Sequence, residues 1–216
     1  LLWMGGGPST IDLWDLKSGT PTAGQFKSIS TSADGVSICE HLPLMSKQMH
    51  HMSIVRSMST READHMRGRY YMHTGYVPTP SIDHPSYGSV ISHELIASIP
   101  ELEIPSFVSV GGGSVGPGFL GMGYSPFVVD SNGNIRDLDM GIDNERVMQR
   151  LQMLATIENK FIAENRGGGA SDHLKIVDRT VKLMTSKQMD AFKVNKEPKE
   201  MLEKYGNTGF GKGCLM

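Results

Sequence analysis

The chain is short of cysteine, of aromatic residues, of long apolar runs and of any excess of one charge, and each shortage closes off a class of protein. Its 216 residues include two cysteines, Cys39 and Cys214, too few for a disulfide framework and not spaced as a metal-binding pair. Aromatic residues make up 7%, and methionines at helical positions, such as Met45, Met49, Met148 and Met153, read as core filling. No apolar run approaches the ~20 residues that a membrane-spanning helix needs. The 21 basic residues nearly balance the 23 acidic ones, for a formal charge of -2, so bulk charge gives no reason to invoke nucleic acid or a membrane surface.

What is present is 25 glycines and 11 prolines beside 38% hydrophobic and 20% charged residues, the composition of a soluble, loop-rich globular chain, neither disordered nor collagen-like. The length allows one large domain or two small ones, with enough chain to bury a core. The sequence opens inside an apolar run, Leu1-Leu2-Trp3-Met4, and stops where another starts, at Gly213-Cys214-Leu215-Met216. It therefore reads as one incomplete domain, a piece of something longer.

Strand-like and helix-like segments alternate along the first half. Leu1 to Met4 reads as the end of a buried strand running into the turn Gly5-Gly6-Gly7-Pro8. Val36 to Cys39 resembles a short strand, and Glu40 to Met52 a helix with Pro43 in its first turn. Ser53 to Ser57 reads as a buried strand, and Thr60 to His73 as a helix closed at Thr74-Gly75. Tyr87 to Ile99 is the next helix and Pro105 to Val110 the next strand. Such alternation predicts an α/β protein with a mostly parallel sheet between helices. Residues 111–141 read as a long surface loop, and residues 144–205 as a helical region: Asn144 to Asn165, then Ser171 to Phe192 after the stop Arg166-Gly167-Gly168-Gly169, then Glu197 to Tyr205.

Seven of the eight histidines precede residue 94, which directs attention to the first half. There the segment from Arg56 to Arg69 sits where an expected strand hands over to a helix, the position at which open α/β sheets place ligands and helix N-terminal amides favour anions. Arginines at 56, 61, 67 and 69 offer planar forks of donors for phosphate or sulfate oxygens. Asp64-His65 has the residue types for metal coordination or acid–base chemistry. The same four arginines also read as a solvated helix face. The glycine run at 5–7 is neither a P-loop nor a dinucleotide fingerprint. Ser9 and Asp12 follow it closely and offer polar groups to the same sheet edge.

These motifs, in order, carry a resemblance. Trp3 to Lys17, Ile38-Cys39-Glu40-His41-Leu42-Pro43, Ile54-Val55-Arg56-Ser57, Asp64-His65 with Thr74-Gly75, Pro85 to Val90, Gly116-Pro117-Gly118-Phe119-Leu120-Gly121, and Tyr205-Gly206 with Phe210-Gly211 resemble the sulfatase-like family of unknown function 1501 (DUF1501). The resemblance covers nearly the whole chain. It implies a branch of the alkaline phosphatase superfamily: a three-layer α/β/α sandwich around a mostly parallel sheet, of which the chain is the N-terminal half. It also implies metal-assisted hydrolysis of phosphate or sulfate esters with a divalent ion (zinc, calcium or manganese), an anionic ester as partner, and export to the periplasm or cell exterior of a bacterium.

In that superfamily the nucleophile opens a helix ending in Thr-Gly, and the corresponding position here is His65, preceded by Asp64. The resemblance thus implies His65 and Asp64 as catalytic, Asp12, Asp64 and His65 as metal ligands, and Arg56, Arg61, Arg67 and Ser9 as the anion-binding set. Three departures accompany it. Imidazole replaces a hydroxyl nucleophile, glycines stand where a metal-binding Asp is expected, and the ligands of the second half are not found before Met216. The alternative is a non-catalytic binding or surface-assembly protein on the same scaffold.

Overall fold

Serine and isoleucine alternate on both flanks of an Ala33-to-Val36 turn, and the flanks pair: β1, Ser28–Ser30, lies antiparallel to β2, Ser37–Cys39, with Ile29 opposite Ile38. Thr31 fixes the turn, its Oγ1 donating to Val36 O at 2.8 Å. Four positions after β2 ends, Pro43 opens α1, Pro43–Ser46, where its missing N–H is not needed. The helix expected over Glu40 to Met52 breaks after that single turn because i→i+3 bonds take over: Gln48 N–H donates to Met45 O at 2.9 Å, and Met49–His51 is a 3₁₀ turn. Leu16, Ile38, Cys39 and Met49 are the buried apolar residues of this region.

The computed structural model describes residues 1–135, 141, 143–164 and 169–216. They divide into two units, Leu1–Arg61, which holds the elements above, and Glu62–Met216. In the second unit α2, His65–Thr74, and α3, Tyr87–Leu95, precede β3, Val108–Val110. β3 runs parallel to β4, Phe127–Val129, in the register Val108–Phe127, Ser109–Val128, Val110–Val129. Two 3₁₀ turns, Gly118–Leu120 and Met122–Tyr124, lie between the strands.

The long helices α4, Asn144–Ala163, and α5, Gly169–Thr185, pack on each other. Asp143 caps α4 by accepting from Arg146 N–H at 2.8 Å. Two 3₁₀ segments, Lys187–Phe192 and Val194–Lys196, lead to α6, Lys199–Tyr205, and α7, Gly209–Leu215. Val129, Leu183, Met189 and Phe192 form the buried centre, with Ile104, Val108, Phe127, Ile135 and Met216 packed around it. The helix stop expected at Arg166 to Gly168 and part of the 111–141 loop lie outside the described residues. No helix among the described residues is long and apolar enough to cross a membrane.

This arrangement overturns the expected three-layer sandwich around a mostly parallel sheet. Among the described residues there are two sheets of two strands each, and one of them is antiparallel. A parallel sheet needs strands covered on both faces. Two of the segments expected to supply such strands lie in no strand and are open to solvent, with Leu1 94% and Val55 69% exposed. A short apolar run does not by itself choose between strand and irregular chain. In the second unit, apolar residues at helical spacing build α4 and α5 instead.

Candidate functional site

α2 owes both its ends to neighbouring side chains. Asp64 is its N-cap, and Oδ1 accepts from Met66 N–H and Arg67 N–H, each at 2.9 Å. That satisfies two of the first-turn donors and sets a negative charge at the positive end of the helix dipole. At the other end Gly75 takes φ +78, a conformation that favours glycine, and donates to Tyr71 O at 2.8 Å. Thr74 Oγ1 donates to Tyr70 O at 2.9 Å and accepts from Tyr76 N–H at 3.1 Å. The Thr-Gly pair is a C-terminal capping device.

The residues singled out in the sequence fall in both units. In the first, Ser9 is exposed ahead of the 3₁₀ turn Thr10–Asp12 and makes no side-chain cap, and Asp12 is half-buried within that turn. Arg56 Nε donates to Trp14 O and its Nη2 to Ser37 O, both at 3.0 Å, so this guanidinium ties the chain to β2. Arg61 is exposed.

In the second unit, Asp64, His65 and Arg67 surround the first turn of α2, with His65 exposed as its first residue. Arg67 grips Glu62 through Nε–Oε2 at 2.6 Å and Nη2–Oε1 at 3.0 Å. The hydrogen-bonded guanidinium holds the Glu62 carboxyl below its ordinary range, and the carboxylate raises Arg67 in return. The helix N-terminus therefore already has its anion in Asp64, and Arg67 its carboxylate in Glu62.

Among the described residues no three His, Cys, Asp or Glu side chains gather to hold an ion. One Asp64 oxygen is engaged by two backbone amides, and a zinc site takes three or four ligands.

A different face of α2 is concave. Met66, Arg69 and Tyr70, spaced i, i+3, i+4, line an open cleft of about 440 Å³. Pro78 and Val115 supply further apolar wall, Arg67 also contributes, and the backbone at Gly113 runs past. Arg69 Nη2 donates to Gly113 O, while Arg69 Nε is buried with no hydrogen-bond partner among the described residues. The Tyr70 hydroxyl donates to Asp83 Oδ1 at 3.3 Å and accepts from His84 N–H at 2.6 Å, which fixes its ring. His73, one turn on, is 5% exposed. Burial first, and the Arg69 charge second, lower its pKa, so it gives up its proton more readily than a free histidine.

A family model described as a protein of unknown function (DUF1501) matches residues 1–216. The chain belongs to the DUF1501 family. No curated protein and no solved structure matches it. Within this DUF1501 chain the cleft brings Arg67, one of the arginines expected for anion binding, together with Arg69, Tyr70 and the Gly113-to-Val115 segment. The 66/69/70 spacing was the available signal for the helix side. Nothing local marks the loop side, 44 residues further on.

The cap also separates two roles for Asp64. Asp64→Ala is expected to cost about 0.5–2 kcal/mol of stability, and Asp64→Asn only a small part of that, because Asn caps nearly as well. Urea unfolding of both variants checks it. Equal losses would mean that the negative charge, not the pair of hydrogen bonds, holds the helix end.

Proposed function

We propose that this DUF1501 protein recognises an anionic ester, of phosphate or sulfate, at the α2 cleft. The observation that carries the reading is Arg69, which lines the cleft and whose buried Nε–H has no hydrogen-bond partner among the described residues. A buried donor left unpaired costs about 1–3 kcal/mol, and more when it is charged. An oxyanion is the ligand that relieves this cost best, since it accepts charge-assisted hydrogen bonds from a guanidinium fork. Arg56 serves less well because both of its bonded nitrogens already serve backbone carbonyls.

Turnover of the ester is the second reading, and His65 favours it. Its imidazole is exposed at the first position of the same helix, and imidazole transfers protons near neutral pH or attacks phosphorus directly.

Calorimetric titration with phosphate, sulfate and their phenyl esters, beside turnover assays of the aryl esters, tests both readings. Arg69→Gln is expected to weaken binding by about tenfold or more, equivalent to losing one charge-assisted bond, while Arg56→Gln leaves affinity unchanged. Binding without turnover marks a binding protein. Turnover lost in His65→Ala with binding retained marks a hydrolase. If the unaltered protein binds none of these anions, the proposal fails.

A further inference from the structure

We infer that the ester taken by the α2 cleft carries an apolar organic group, about the size of one ring, rather than a sugar or another polyol. The inference rests on the proposed recognition of the anion by Arg69 and adds the identity of what the anion is attached to. Met66 and Tyr70 of α2, with Pro78 and Val115, make the wall apolar. The polar atoms that line it are largely taken. The Tyr70 hydroxyl is bonded on both sides, to Asp83 and to the His84 amide. Arg67 is paired with Glu62, and the Gly113 carbonyl accepts from Arg69. Ser114 offers one hydroxyl, against the several that a sugar would bring.

A polyol pressed against this wall would lose water without regaining hydrogen bonds, which is unfavourable. A ring would exchange water for the Tyr70 face, Pro78 and Val115, which is favourable. The volume matches: about 440 Å³ lies at the lower end of small-molecule sites. The anchor is also directional, because Tyr70 is fixed by Asp83 and Arg69 by Gly113, so the apolar wall and the guanidinium keep a set relation to each other.

The test is calorimetric titration of the full chain with phenyl phosphate, glucose 6-phosphate and inorganic phosphate, and with the three corresponding sulfates. The phenyl ester is expected to bind about tenfold or more tightly than the sugar ester of the same anion. Val115→Asn and the surface variant Met66→Gln are each expected to narrow that preference several-fold, by weakening the phenyl ester more than the inorganic anion. Sugar esters binding as tightly as phenyl esters would overturn the inference and leave anion recognition standing. A preference that survives both variants would place the apolar contact elsewhere and overturn it too. Binding by no member of either series would remove the anion reading itself.

Discussion

Phe192→Ala is expected to lower the stability of the Glu62–Met216 unit by about 3–5 kcal/mol, the range for emptying an aromatic position in a packed core. Phe192 is 5% exposed at the end of a 3₁₀ segment, and its ring lies 5.9 Å from that of Phe127, tilted by 55°. It therefore joins the C-terminal helical region to β4 within the cluster of Val129, Leu183 and Met189. Two features make collapse of the cavity costly: the neighbours come from distant parts of the chain, and Val129 is held in the ladder with Val110. Phe192→Leu, which retains much of the volume, should cost about 1–2 kcal/mol. Phe119, 66% exposed, is the contrast, and Phe119→Ala should stay within about 0.5 kcal/mol of the unaltered protein. Urea unfolding with an unchanged m-value for all three distinguishes lost packing from a change in the unfolded chain. A loss under 1 kcal/mol for Phe192→Ala would mean that this cluster is not the centre of the unit.

The parts of the fold that could be read from the sequence are those whose causes are local. α2 carries its stop signal in Gly75, where the expected helix closes at the observed place, but it begins at His65 after the Asp64 cap and not at Thr60. α4 and α5 follow the apolar spacing of Val147, Leu151 and Leu154, and of Leu174, Val177 and Val181. Strand partners are not local. Val108 to Val110 is correctly placed as a strand, yet its partner, Phe127 to Val129, lies inside what reads as a loop, and nothing in either tripeptide names the other. The alternation of apolar runs with helices predicts a mostly parallel sheet, and the family resemblance adds the three-layer sandwich. Ser53 to Ser57 shows the flaw, since it pairs with nothing described as a strand while Arg56 reaches Trp14 and Ser37 instead.

The site divides in the same way. That arginines gather around α2 is visible in the sequence. Which guanidinium already has its acceptors depends on Trp14, 42 residues away from Arg56, and on Gly113, 44 residues from Arg69. Charge pattern alone ranks the four arginines equally. Partner geometry singles out Arg69, and it shows Asp64 to be a cap before it is anything else.

Gly118→Ala is expected to destabilise the second unit by about 2–4 kcal/mol and to damage the cleft with it. Gly118 sits at φ +51, and a Cβ there would lie 2.3 Å from Asp83 O and 2.7 Å from Pro85 N. Both costs fall on backbone: the left-handed conformation strains alanine, and neither neighbour can rotate away. The loop is stitched to the same stretch, with Phe119 N–H donating to Asp83 O at 3.0 Å and Ser86 N–H to Gly116 O at 3.1 Å. Asp83 in turn holds the Tyr70 hydroxyl. Pushing Gly118 off Asp83 therefore moves the residue that orients the cleft's aromatic wall, and phenyl ester affinity should fall along with stability. Gly116→Ala, two residues earlier, is the control: a Cβ there has nothing within 4 Å and the backbone does not require glycine, so the change should stay within about 0.5 kcal/mol. Unfolding and ligand titration of the pair decide the matter. If the two variants behave alike, the close approach of Gly118 to Asp83 does not set the geometry of the cleft.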